Sequence, residues 1–110
     1  MQRFVIMMKH TESGAEAIER MPVWGDTLRT IWEELGGELD LLDVTMGDSD
    51  LIACGSFPSE LAAMTFAASV TAGGVMTTKT IPAFPIDKFH DALRVGPKVH
   101  GTLTHEDPGS

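Results

Sequence analysis

The sequence predicts a single α+β domain in which two helices cover one face of a four-stranded antiparallel sheet. The chain has 110 residues, of which 43% are hydrophobic and 22% are charged, as in an ordinary soluble globular domain. Its hydrophobic segments follow the order strand, helix, strand, strand, helix, strand. This order defines a ferredoxin-like fold. Clusters of Gly and Pro separate the segments and mark the turns.

A polar segment separates the first strand from the first helix. Residues 3–9 form an apolar run with charged ends, which is typical of a buried strand. Residues 10–23 are polar, and we expect a loop with a short helical turn. From Trp24 to Leu35, apolar residues recur with helical spacing, and a Gly-Gly pair follows them. This pattern predicts a helix with one apolar side.

A hairpin and a second helix follow. Residues 38–46 and 50–57 have strand character, and residues 47–49 predict the tight turn that joins them. Ser59 is suited to cap a helix, and the alanine-rich residues 60–71 predict that helix. Its small side chains would allow it to lie close to the sheet.

The last strand and a short helix complete the predicted domain. Residues 75–83 are rich in β-branched side chains, which favour a strand. Residues 86–94 predict a helix with apolar residues on one side, namely Ile86, Phe89 and Leu93. The following residues are polar and rich in Gly, Pro and His. We therefore divide the chain into a domain of residues 1–95 and a flexible tail of residues 96–110.

The predicted strands carry apolar side chains on both faces. In the hairpin, Leu39 and Leu41 oppose Leu42, Val44 and Met46, while Leu51 and Ala53 oppose Ile52 and Cys54. The two helices cover one face only, and the other face would be a large apolar patch on a monomer. We therefore expect a homodimer or a higher homo-oligomer.

Charge and composition exclude several classes of protein. The formal net charge of −8 argues against binding to nucleic acid or to an anionic membrane surface. The apolar run near the N-terminus is too short to span a bilayer or to form the core of a secretion signal. The lone Cys54 cannot form an intramolecular disulfide, so we expect a cytoplasmic protein. The spacing of His and Cys predicts no metal site, and no fingerprint for a cofactor is present.

Four short motifs occur in a fixed order. They are residues 45–52 (TMGDSDLI), 57–60 (FPSE), 74–80 (GVMTTKT) and 83–84 (AF). In this order they resemble the GYD domain family, and the resemblance extends over residues 3–90. It implies a fold of the dimeric α+β barrel superfamily and a homo-oligomer. It does not imply a reaction, because the family has no generally established one.

Two positions depart from the family pattern. The Gly-Tyr-Asp sequence that names the family is represented by Gly47, Ser49 and Asp50, with Ser49 in place of tyrosine. The aromatic residue common at the end of the first strand is His10. The second change replaces packing surface with a group that can carry a proton.

His10 and Asp50 are the candidate catalytic residues. In the predicted sheet the first strand lies between the third and the fourth, so His10 meets the beginning of the third strand at Asp50. An imidazole oriented by a carboxylate is a simple general base. In the alternative interpretation, His10 only ends a strand and Asp50 holds the turn by accepting backbone N–H groups.

Trp24, Thr45 and Thr78 are the candidate ligand-binding residues. Trp24 would close a pocket near His10, and the two threonines would form the floor of that pocket. In the alternative interpretation, the threonines are present only because they favour strands, and the tryptophan packs in the core.

Two functions remain open. One is a cofactor-independent enzyme of the monooxygenase, cyclase or isomerase type, acting on an apolar carbonyl-bearing or aromatic metabolite, as the resemblance to the superfamily implies. The other is a non-catalytic ligand-binding or assembly module, which a pocket filled by tryptophan and methionine side chains would favour.

Overall fold

A computed structural model describes residues 1–12 and 18–95 of the chain, apart from the side chain of Ile18. The strands are β1 (Gln2–His10), β2 (Glu38–Val44), β3 (Leu51–Phe57) and β4 (Met76–Ala83), and the helices are α1 (Met21–Glu34), α2 (Glu60–Ala72) and α3 (Ile86–Val95). A single turn of 3-10 helix, Ile18–Arg20, precedes α1. The strands pair antiparallel in the order β2-β3-β1-β4. The predicted ferredoxin-like α+β fold is therefore confirmed, whereas the predicted tail of residues 96–110 lies outside the described residues.

The hydrophobic core lies between the sheet and the helices α1 and α2. Side chains alternate along β1, so every second residue from Phe4 to Met8 is buried beneath the helices. Trp32 of α1 is fully buried and stacks on Phe57, with 4.1 Å between the ring centroids. Its Nε1 donates a hydrogen bond of 3.0 Å to the carbonyl of Ser56. Both the apolar surface and the polar group of Trp32 are thus used in the core.

Two elements differ from the predicted bounds by more than one residue at an end. Helix α1 begins at Met21, not at Trp24, since Pro22 fits a first helical turn, where its missing N–H is not needed. Strand β2 ends at Val44, and the prediction that it continues to Met46 is wrong. The chain turns at Thr45, whose N–H donates to the carbonyl of Asp50 at 2.9 Å.

A β-bulge in β2 changes which side chains share a face. Leu39 pairs with Gly55 and Leu41 pairs with Cys54, so the register shifts between these two leucines. Leu39 and Leu42 pack against the core. Leu41 is opposite Cys54 and lies on the other face of the sheet. The prediction that Leu39 and Leu41 share a face is therefore wrong.

The sheet face away from α1 and α2, here called the outer face, has an apolar centre. Six side chains from all four strands form it: Val5, Met7, Leu41, Ile52, Cys54 and Ile81. Leu41 and Ile81 are 39% and 41% exposed. An ion pair between Arg3 and Asp40, with 3.2 Å between Nη1 and Oδ2, lies beside this centre. The apolar character of both faces, which the sequence predicts, is thus present even with the changed register of β2.

Helix α3 stands apart from the core. None of its side chains is buried, and its apolar residues Ile86, Phe89 and Leu93 are 79%, 60% and 52% exposed. Within the described residues, no helix is both long enough and apolar enough to cross a membrane.

Candidate functional site

The sequence-predicted site residues gather at one end of the sheet. His10 ends β1, and Asp50 directly precedes β3. The turn between β2 and β3 lies at the same end, and Gly47 in this turn has a φ of +123°, which glycine adopts without strain. His10 alternates with Met8 along β1, so it lies on the helix side of the sheet.

The structure brings His10 and Asp50 into contact. The Asp50 carboxylate accepts the backbone N–H of His10 at 2.9 Å, and the same Oδ2 atom lies 3.5 Å from Nε2 of the imidazole. The backbone N–H of Asp50 donates to the carbonyl of Met8 at 2.8 Å. Asp50 therefore joins the beginning of β3 to the end of β1 through its backbone and its side chain.

Both ring nitrogens of His10 face oxygen acceptors. Nδ1 lies 3.2 Å from the carbonyl oxygen of Thr11, and Nε2 faces Asp50. A neutral imidazole has one N–H and can donate to only one of these oxygens. The side chains of His10 and Asp50 are 27% and 26% exposed, so water reaches both. The pair lies within reach of solvent, and its contacts fasten the end of β1 to the beginning of β3.

A small apolar cavity of about 100 Å³ lies between α1, α2 and β4, beside Trp24. Its lining consists of Trp24, Thr27, Leu28, Val70, Val75 and Met76. The Thr27 hydroxyl already donates to the carbonyl of Val23 at 3.2 Å. Met76 is directly opposite His10 in the pairing of β1 with β4, and side chains in such pairs start about 4.5–5.5 Å apart. His10 therefore adjoins the wall of this cavity but does not line it.

Thr45 and Thr78 do not face this cavity. The hydroxyl of Thr45 donates to the carbonyl of Ser49 at 2.7 Å and closes the hairpin turn. The hydroxyl of Thr78 lies 3.3 Å from that of Thr71 at the end of α2. Thr78 also lines a second cavity of about 220 Å³, to which residues of the sheet and of the hairpin turn contribute. Of the five predicted site residues, the structure thus joins His10 to Asp50 and places Trp24 in a nearby cavity.

Sequence reasoning missed Val70 and Val75 as cavity residues. A signal for Val70 was present, because Ala63, Phe66 and Val70 recur with helical spacing and are the buried residues of α2. The many other alanines of that helix obscured this stripe. Val75 precedes β4, and only the position of α1 turns it into a cavity wall.

The residues that the structure describes contain no group of three His, Cys, Asp or Glu side chains placed to hold a metal ion. The sheet order and the helices on one face define a ferredoxin-like α+β protein with a small apolar cavity near a His–Asp pair. Residues 4–93 match the GYD domain family, and the chain belongs to this family. No curated protein and no solved structure matches the chain.

Proposed function

We propose that the protein is a homodimer that binds a small apolar, carbonyl-bearing ligand in the cavity beside Trp24 of each subunit. The position of this cavity carries the proposal, since apolar side chains from three elements line it and its Met76 wall is opposite His10. The polar atoms of His10 and Asp50 would then lie near one side of an otherwise apolar ligand. Such a combination of apolar walls and few polar groups is usual for small-molecule sites.

The size of the cavity limits the ligand. An apolar cavity of about 150 Å³ holds benzene, with its six carbon atoms. The cavity beside Trp24 measures about 100 Å³ and by proportion admits about four non-hydrogen atoms. Acetone has this size, and a larger ligand would insert only one end.

Acetone is therefore a suitable probe, with detection by the NMR signals of methyl groups. We expect the Leu28, Val70 and Val75 methyl signals to shift at millimolar acetone, while those of distant methyl groups do not. Val75→Phe fills the cavity and should abolish the shifts of Leu28 and Val70. Val23→Phe, at a position that is 62% exposed and outside the lining, is the matched control and should preserve them. Unchanged cavity methyl signals in the parent protein would contradict the proposed ligand site.

The homodimer is supported by the apolar centre of the outer face. In the described chain, α1 and α2 pack on the other face, and exposed apolar patches of this kind mark interaction sites. A second copy covers the patch of both partners at once through a two-fold axis. A cytoplasmic location, in which Cys54 stays reduced, belongs to the same proposal.

Sedimentation equilibrium tests the dimer. The parent chain should be dimeric at micromolar concentration, and Ile81→Asp should yield a folded monomer because it places a charge on the outer face. Val23→Asp adds the same charge at an exposed position of α1 and should remain dimeric. Cys54 lies at the outer face, so its thiol should react faster with a maleimide in the Ile81→Asp variant than in the dimer. A parent chain that is monomeric at tens of micromolar would contradict this part of the proposal.

Proton transfer by His10 is the second candidate function, and the contact with Asp50 favours it. Because His10 does not line the cavity, it would act through one water molecule. With acetone as the probe in D₂O, that water would take a proton from a methyl carbon while passing a proton to His10, and a deuteron would return to the carbon. The NMR measurement is the rate of loss of the methyl proton signal. His10→Gln should lower the protein-catalysed rate by about 10²- to 10⁴-fold, as is usual for a positioned base. Equal rates in the parent and the variant would contradict catalysis and leave the binding function.

A further inference from the structure

Helix α3 is too short to be stable without a packing surface. It has 10 residues, and isolated helices shorter than about 12–15 residues are marginal in water. Its apolar side chains Ile86, Phe89 and Leu93, here called the α3 stripe, recur at helical spacing and share one side of the helix. All three are more than half exposed. The stripe therefore has the form of a contact surface that the described residues cover only in part.

The described residues leave the stripe more than half exposed, although Lys88 of α3 lines a cavity together with Arg3 and Pro58. An open groove of about 280 Å³ lies between α2 and β4, near the end of β4 from which α3 departs. Its lining includes Met64 and Pro82 but no residue of α3. The link between β4 and α3 is two residues long, Phe84 and Pro85, so α3 leaves directly from the edge of the sheet. This departure point lies beside the outer face, because Ala83 at the end of β4 pairs with Arg3 of that face.

The area of the outer face supports a second copy as that molecule. Four strands about 4.8 Å apart, with about seven residues each, present a projected area of about 440 Å². A standard stable interface buries about 800 Å² per partner. Phe84 and Phe89 are 66% and 60% exposed, and a phenylalanine buries at least about 150 Å² in full, so each can add about 100 Å². With Ile86 and Leu93, they bring the dimer near the standard size.

We propose that α3 is a dimer arm whose stripe packs against the second copy of the chain. This proposal rests on the homodimer of the proposed function. Each subunit then covers its partner with two surfaces, the outer face of the sheet and the α3 stripe. Packing against the partner stabilises α3, and α3 in turn enlarges the dimer interface.

The dissociation constant of the full-length dimer tests the arm. Phe89→Ser should raise it at least about 10-fold, since buried aromatic anchors are frequent hot spots of interfaces. Lys88→Ser introduces the same residue beside the stripe and should change it less than about 3-fold. Phe89 is not part of the core, so the melting profile of the monomer should be the same in both variants. An unchanged dissociation constant in Phe89→Ser would overturn the arm and leave the dimer standing, whereas a monomeric parent chain would overturn both.

Photocrosslinking identifies the surface that the stripe contacts. p-Benzoylphenylalanine in place of Phe89 should crosslink two chains, and a mixture of ¹⁵N-labelled and unlabelled chains should yield crosslinked peptides of mixed label. Crosslinks confined to one chain would show that the stripe docks on its own subunit and would overturn the proposal.

Discussion

A methyl group at Gly55 should destabilise the protein strongly. Gly55 lies in β3 beneath the indole of Trp32. An added Cβ would overlap the carbonyl oxygen of Glu38 and would lie 2.8 Å from Cζ2 of Trp32 and 2.9 Å from Cα of Leu39. Two of these atoms belong to the backbone of β2, which is hydrogen-bonded to β3. The indole is also held in place, because its Nε1 donates a hydrogen bond to the carbonyl of Ser56.

The expected loss for Gly55→Ala is about 3 kcal/mol or more. Overpacking of a core usually costs about 1–3 kcal/mol, and the upper end applies where backbone atoms must move. Gly25→Ala is the matched control, since the same methyl group would lie 3.8 Å from Cδ2 of Leu42, an ordinary contact. Gly25 is inside α1, where alanine is better than glycine by about 0.5–1 kcal/mol. The same substitution should therefore have opposite signs at the two positions.

Urea unfolding followed by circular dichroism measures both changes. All variants must be compared at one subunit concentration, because dimerisation adds to the apparent stability. A Gly55→Ala variant within about 1 kcal/mol of the parent would refute the reasoning. It would mean that Trp32 and β2 move apart easily, and that the core is looser than its contacts indicate.

Two further substitutions test the hydrogen bonds at strand and helix ends. Asp50→Ala removes the acceptor of the His10 N–H and should lower the unfolding free energy by about 1 kcal/mol, whereas Asp50→Asn keeps an acceptor and should lose less. Equal losses in the two variants would show that the charge matters more than the bond. Ser59→Ala removes the cap of α2, where the Ser59 hydroxyl accepts the N–H of Ala62 at 3.1 Å. This substitution should lower the free energy of unfolding by about 1 kcal/mol, measured with urea. An unchanged unfolding midpoint would show that the Ser59 hydroxyl does not stabilise α2.

The proximity of His10 to Asp50 could be predicted, because the order of the strands in the sheet determines it. Once the first strand lies between the third and the fourth, the end of one strand must meet the beginning of the next. The cavity beside Trp24 could not be predicted in the same way. It depends on the distance between α1 and α2, and its lining joins side chains far apart in sequence, such as Leu28 and Val70.

The sequence by itself determined the elements that depend on neighbouring residues. The cap at Ser59, the turn at Gly47 and the apolar run of β1 are local, so the order of strands and helices follows from them. Only the tertiary structure decided the bulge between Leu39 and Leu41, because the pairing with β3 determines which residues share a face. It also decided that the α3 stripe is left more than half exposed by the described residues, since an amphipathic pattern predicts that one side of a helix is covered but does not show by which molecule.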